Sequence, residues 1–127
     1  MKLLDDPSLP TPAGHYSTAV IHNGVVYVAG QLPRVPGKPD FTLPTIEEQT
    51  RQCLENAEQI LLAAGSRRDL VIKSTIYVSD IQYWAGVNTA YAAFFGAHKP
   101  TRAIIPVGAF RHGYLIEIEM VAAVAER

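Results

Sequence analysis

The sequence predicts an α+β fold in the order β-β-α-β-α-β-β, with two helices on one face of a mixed sheet. Three observations predict it. Two β-rich runs are split by Asn23-Gly24, the strongest short hairpin signal a sequence offers. Residues 45–65 carry a capped helical pattern with one apolar face. Three further β-rich runs follow, the first two separated by a second helical stretch. The 127 residues suit a single domain spanning 1–127, long enough to bury a core.

Taken in order, residues 1–15 hold Pro7, Pro10 and Pro12 and read as an irregular, extended arm. The hairpin "STAVIHNGVVYVAGQ" covers 17–31. Residues 32–45 carry Pro33, Pro36, Pro39 and Pro44 with Gly37, and form a loop. In the helix over 45–65, Thr45 followed by Glu48 is a capping box and Gly65 stands where a helix ends. Ile46, Cys53, Ala57, Ile60, Leu61 and Ala64 recur at helical spacing on its apolar face. Cys53 on that face reads as core packing, since no His or Asp accompanies it in a nucleophile pattern.

"LVIKSTIYVSD" (70–80) is β-branched and reads as a strand. The second helix, 80–98, is capped by Ser79 or Asp80, and its apolar stripe is Ile81, Trp84, Val87, Tyr91, Phe94 and Phe95. Asn88 adjoins that stripe. It is either a partly exposed residue at the stripe's edge or part of a site, and if buried it must find a partner. The last two strands, 101–108 and 114–125, are joined by "AFRHG". In the final one Ile116, Ile118 and Met120 point one way; Leu115, Glu117, Glu119 and Val121 point the other. Two helices cover one sheet face and leave the other, with Leu115 and Val121, uncovered. That predicts a homo-oligomer in which sheet faces meet, with any pocket near a subunit boundary.

Composition narrows the function classes. Hydrophobic residues are 48% and charged residues 18%, a globular balance on the apolar side. With 11 Lys+Arg against 12 Asp+Glu the net charge is −1, and no run builds the basic face that a phosphate backbone requires, so nucleic acid is disfavoured. Cys53 is the one cysteine, which excludes an internal disulfide and zinc ligation by cysteines. The amino end lacks the apolar core of a signal peptide and no apolar run spans a bilayer, so the expected location is cytoplasmic.

Arg102 is the residue that most needs explaining. It sits in "KPTRAIIPVG", an otherwise strand-like run, and a guanidinium is rarely buried without a partner. Two readings stand: a structural bridge to a Glu of the next strand, or a two-pronged clamp on a ligand carboxylate. If the last two strands pair as a hairpin, Arg102 lies too far from Glu117 for a direct ion pair. Glu117, in an apolar strand, is a candidate general base. Glu119 shares its face, and spacing alone does not separate the two. His15, His22, His98 and His112 fit no metal motif, and no phosphate loop, nucleophile elbow or dinucleotide fingerprint occurs.

"GHYSTAV", "VVYVAGQLP", "EEQTRQCLENAEQILLAAG", "VIKSTIYVSDI", "VNTAYAAFFG", "PTRAIIPVG" and "LIEIEMVAAV" together resemble, in order and spacing, the Rid/YjgF/L-PSP family, from about Gly14 to Ala123. The resemblance implies a chorismate-mutase-like subunit assembled as a homotrimer, with clefts between neighbouring subunits. It implies hydrolysis of 2-imino or enamino acids such as 2-iminobutanoate and 2-iminopropanoate to 2-oxo acids and ammonia, with no metal or organic cofactor. Arg102 matches the family's carboxylate-binding arginine and Glu117 the carboxylate that positions water. Tyr16, Gly30 and Asn88 match positions of its ligand cleft. The chain departs from many deaminase members at three places: Ile104 stands for a cysteine that borders the ligand, Ala103 for a serine and Pro106 for an acidic residue. Proline there suggests an edge or a bulge, and the cleft should be more apolar. Two alternatives follow from the same resemblance: a binding member that keeps the fold without the reaction, or a ribonuclease and translation inhibitor. The neutral charge counts against the second.

Overall fold

The computed structural model describes residues 1–126. Eight elements follow in chain order: β1 (Lys2–Leu3), β2 (Ala19–His22), β3 (Val25–Gln31), α1 (Ile46–Ala63), β4 (Val71–Val78), α2 (Trp84–Phe95), β5 (Thr101–Pro106) and β6 (Ile116–Ala123). The strands form one mixed sheet in the order β1-β2-β3-β6-β4-β5. Only β4 and β5 run parallel, which is why α2 is needed to cross between them. The α+β class is as expected, with β1 as an addition. Its two residues pair with Val20 and Ile21 at the sheet edge, inside the arm that the prolines mark as irregular.

Local chemistry explains the elements that were expected. Asn23 and Gly24 both take positive φ, 51° and 75°, the geometry that lets a two-residue turn match strand twist. Thr45 accepts from the Glu48 N–H at 3.1 Å, a cap of about 1 kcal/mol. Its hydroxyl also donates to the Glu48 carboxylate at 2.9 Å. At the far end Ser66 N–H donates to Leu61 O and Gly65 N–H to Leu62 O, the paired bonds of a Schellman closure. All six apolar-face residues predicted for α1 are buried.

One open condition is settled here and one expectation fails. The last two strands are not a hairpin: β6 inserts between β3 and β4, and β5 lies beyond β4 at the sheet edge. Non-local pairing won because β6, apolar on its inner face, is buried best at the sheet's centre under α1. Ile116, Ile118, Met120 and Ala122 are all at most 2% exposed. The α2 stripe is also narrower than predicted. Val87, Tyr91 and Phe95 are buried, but Ile81 and Trp84 are exposed, and Asp80 caps a 3-10 turn over Ile81–Tyr83 that precedes the helix. Pro106 ends edge strand β5, where its missing N–H costs no ladder bond. No helix among the described residues is long and apolar enough to cross a membrane.

Candidate functional site

Strand register decides which side each candidate faces. Ser74, Ile76 and Val78 of β4 pair with Met120, Ile118 and Ile116 of β6, all pointing into the core. Across the parallel ladder the same three residues pair with Arg102, Ile104 and Pro106. Paired residues share a face, so Arg102, Ile104 and Pro106 stand on the helix side. Glu117 pairs with Tyr77 and Glu119 with Thr75, on the open side.

On the helix side, Arg102 Nη1 donates to Asn88 Oδ1 of α2 at 2.9 Å. Its Cζ lies 5.0 Å from the Tyr91 ring centre and 5.6 Å from that of Trp84. Both rings attract the cation through their faces. The ion pairs among the described residues are Arg67–Asp69 and Arg68–Glu58, so Arg102 has no carboxylate partner and the Arg–Glu bridge is not formed in this chain. Of five N–H donors one meets Asn88, which leaves enough for a two-pronged grip. Asn88 is half-buried, and its carbonyl is partnered by Arg102. Burial raises the Tyr91 phenol, a mark of the low polarity beneath the guanidinium. Ile104 is half-buried beside the same core.

On the open side, Glu117 lies against Gly30. A Cβ added at Gly30 would stand 2.9 Å from Glu117 Cδ and 3.1 Å from Oε2, so only glycine lets the carboxyl rest there. The β3–β6 register shifts between Val28 and Gln31, which brings Gly30 into this position. Burial, with the Glu119 charge second, lifts the Glu117 carboxyl above its ordinary value of 4.5. The two glutamates are now separable. Tyr77 Oη donates to Glu119 Oε1 at 2.7 Å, whereas Glu117 has no hydrogen-bond partner among the described residues.

The predicted residues therefore form two half-sites. One holds Arg102, Asn88 and Ile104, the other Glu117 and Gly30, and they lie on opposite faces of the sheet with β4 between their strands. Tyr16 joins neither: it is 52% exposed in the loop before β2, its N–H donating to Gly14 O. His15 is exposed in the same loop. The sequence reading missed Trp84, which was assigned to the core but is 44% exposed beside Arg102. Its position one helical turn before Asn88 was the available signal.

A concavity of about 690 Å³ between the outer surfaces of α1 and α2 contains none of these residues. Its Arg68 is already bonded to Glu58 and to Phe94 O. A smaller hollow of about 220 Å³ on the open face includes Tyr27, Lys73 and Glu119. Among the described residues, no group of three or more His, Cys, Asp or Glu side chains is placed to hold a metal ion.

Comparisons with known proteins bear on the family of the chain. The model of a family described as endoribonuclease L-PSP matches residues 7–124. A RutC family protein of Pyrococcus horikoshii is 41% identical over 113 residues, covering 89% of this chain and 90% of the relative. The 2-iminobutanoate/2-iminopropanoate deaminase of Rattus norvegicus is 34% identical over 121 residues, covering 95% and 88%. The crystal structure of E. coli TdcF with bound serine superposes with a TM-score of 0.89 at 29% identity, covering 98% and 100%.

Proposed function

This chain belongs to the Rid/YjgF/L-PSP family, and from that membership we propose that it hydrolyses 2-imino acids, in equilibrium with their enamines, to 2-oxo acids and ammonia. The observation that carries the reading is Arg102: a cation braced by Asn88 and two aromatic rings, with no carboxylate among the described residues to neutralise it. A 2-imino acid supplies that carboxylate, and the rat relative is named for this reaction.

In this reading Arg102 grips the substrate carboxylate through two parallel N–H bonds. Glu117, ionised, takes a proton from water as the water oxygen bonds to the imine carbon. The C=N π pair moves to nitrogen, which recovers a proton from Glu117 and gives a neutral carbinolamine. Collapse to the C=O breaks the C–N bond; the hydroxyl proton leaves by way of Glu117 to the departing nitrogen, and ammonia is released. Net, one water is consumed and no electrons are exchanged. Holding water and substrate together provides most of the acceleration asked of the protein, because the imine is already electrophilic.

No single chain can close this arrangement, because its two half-sites face opposite ways. We therefore assign the reaction to a cleft in which Arg102 of one subunit meets Glu117 of a neighbour, in the closed homotrimer that the resemblance implies. Ile104 and Trp84 would border the substrate side chain with apolar surface.

The test is a coupled assay in which a threonine dehydratase generates 2-iminobutanoate and 2-oxobutanoate is followed. Acceleration by the protein is expected. Serine or 2-oxo acid binding without any acceleration would instead identify a binding member of the fold, the reading that Ile104 and Pro106 favour. Gly30→Ala provides an internal check. Only the end of the flexible Glu117 side chain must yield to the new methyl, so folding stability should change by less than about 1 kcal/mol. The displaced carboxyl should nevertheless lower kcat by about 10- to 100-fold. Full activity in that variant would mean that Glu117 is not the base.

A further inference from the structure

Glu117 and Glu119 leave β6 on the same face, about 7 Å apart along the strand. Their surroundings differ. Tyr77 stands opposite Glu117 in register, yet its hydroxyl reaches along the sheet to Glu119 Oε1 at 2.7 Å. That bond fixes the Glu119 carboxylate, and Glu117 is left to respond to it. The other titratable groups around the pair are few. Tyr27 comes from β3 and Lys73 from β4, and Cys53 of α1 lies across the sheet, buried. Lys73 is exposed and forms no ion pair with either carboxylate. The residues that β5 turns to this face, Thr101, Ala103 and Ile105, do not titrate.

We propose that Glu119 is a positioning residue for Glu117: the Tyr77 hydroxyl holds the Glu119 carboxylate in place, and that fixed negative charge makes Glu117 the member of the pair that takes up a proton. The inference rests on the reading of Glu117 as the base. It assigns Glu119 no contact with substrate. A like charge disfavours ionisation of its neighbour, which agrees in direction with the raised Glu117 carboxyl. A base whose affinity for protons lies nearer the working pH transfers them more effectively.

The experiment is a pH titration of the side-chain carboxyl carbons in protein labelled with 13C-glutamate, with the Glu117 signal assigned by its loss in Glu117→Gln. Across about 7 Å at an effective dielectric between about 20 and 80, one charge moves a neighbour's midpoint by about 0.4 to 1.7 units. Glu119→Gln keeps the Tyr77 bond but not the charge, and should lower the Glu117 midpoint by that amount. Tyr77→Phe should lower it by less, since the charge remains but is no longer held; it also serves as the comparison if Glu119→Gln fails to fold. The acid limb of the pH profile for imine hydrolysis should move with the carboxyl in both variants. A Glu117 midpoint unchanged in Glu119→Gln overturns the proposal, whatever the activity. A midpoint that moves in a protein hydrolysing no imine supports the coupling and overturns the reading of Glu117 as a base.

Discussion

Arg102→Ala should lower kcat/KM for 2-imino acid hydrolysis by on the order of 10²- to 10⁴-fold, the loss of two charge-assisted hydrogen bonds at about 1.5–3 kcal/mol each. Most of the change belongs in KM, because the clamp holds substrate before and during water attack. Folding should be little affected. Arg102 sits on an edge strand, makes no ion pair among the described residues, and its one side-chain hydrogen bond there is to the Asn88 carbonyl of a half-buried side chain. Arg102→Lys is the sharper control. Lysine keeps the charge but offers no planar pair of donors, so it should recover only a small part of the loss. Full recovery would reduce Arg102 to a point charge and remove the clamp from the mechanism.

Glu117→Gln should lower kcat by about 10²- to 10⁴-fold, the range for removal of a general base, with a much smaller effect on KM. Stability should move the opposite way. Burial raises the Glu117 carboxyl, and the charge of Glu119 adds to that shift. The folded state thus holds its proton more tightly than the unfolded chain does. The associated stability is present below about 4.5 and is lost as pH rises through the folded-state value. Glutamine has no proton to lose. The variant should therefore gain on the parent as pH rises and be at least as stable at neutral pH, while the two match in acid. A variant that is inactive because it is unfolded would show the reverse, so thermal melts at pH 4 and pH 7 separate the two explanations.

How much of this could be read from the sequence depends on whether the information was local. The Asn23-Gly24 turn was legible because two positive φ angles demand those residue types. The α1 helix was legible because its cap, its apolar spacing and Gly65 all agree. Strand order was not legible. Nothing in 101–125 says that β6 pairs with β3 and β4 rather than with β5, and that placement puts Arg102 and Glu117 on opposite faces. A hairpin would have kept the two apart by distance along a ladder; in the sheet as formed the obstacle is side. Trp84 was misread because an aromatic at helical spacing looks like core, and it stands where α2 has just begun and overhangs the sheet edge. Arg102, Glu117 and Asn88 were singled out by their chemistry in an apolar setting, and the resemblance of motifs added Gly30. The geometry groups them as two pairs, and neither pair was visible in spacing.

The central claim is that a working cleft takes Arg102 from one subunit and Glu117 from another. Mixing inactive Arg102→Ala with inactive Glu117→Gln, under conditions that let subunits exchange, measures it directly. In a randomly mixed ring each cleft draws its two residues from different chains, so about a quarter of the clefts regain both, and activity should return to about a quarter of the parent's. A mixture that stays inactive after exchange has been verified by mass would contradict the claim.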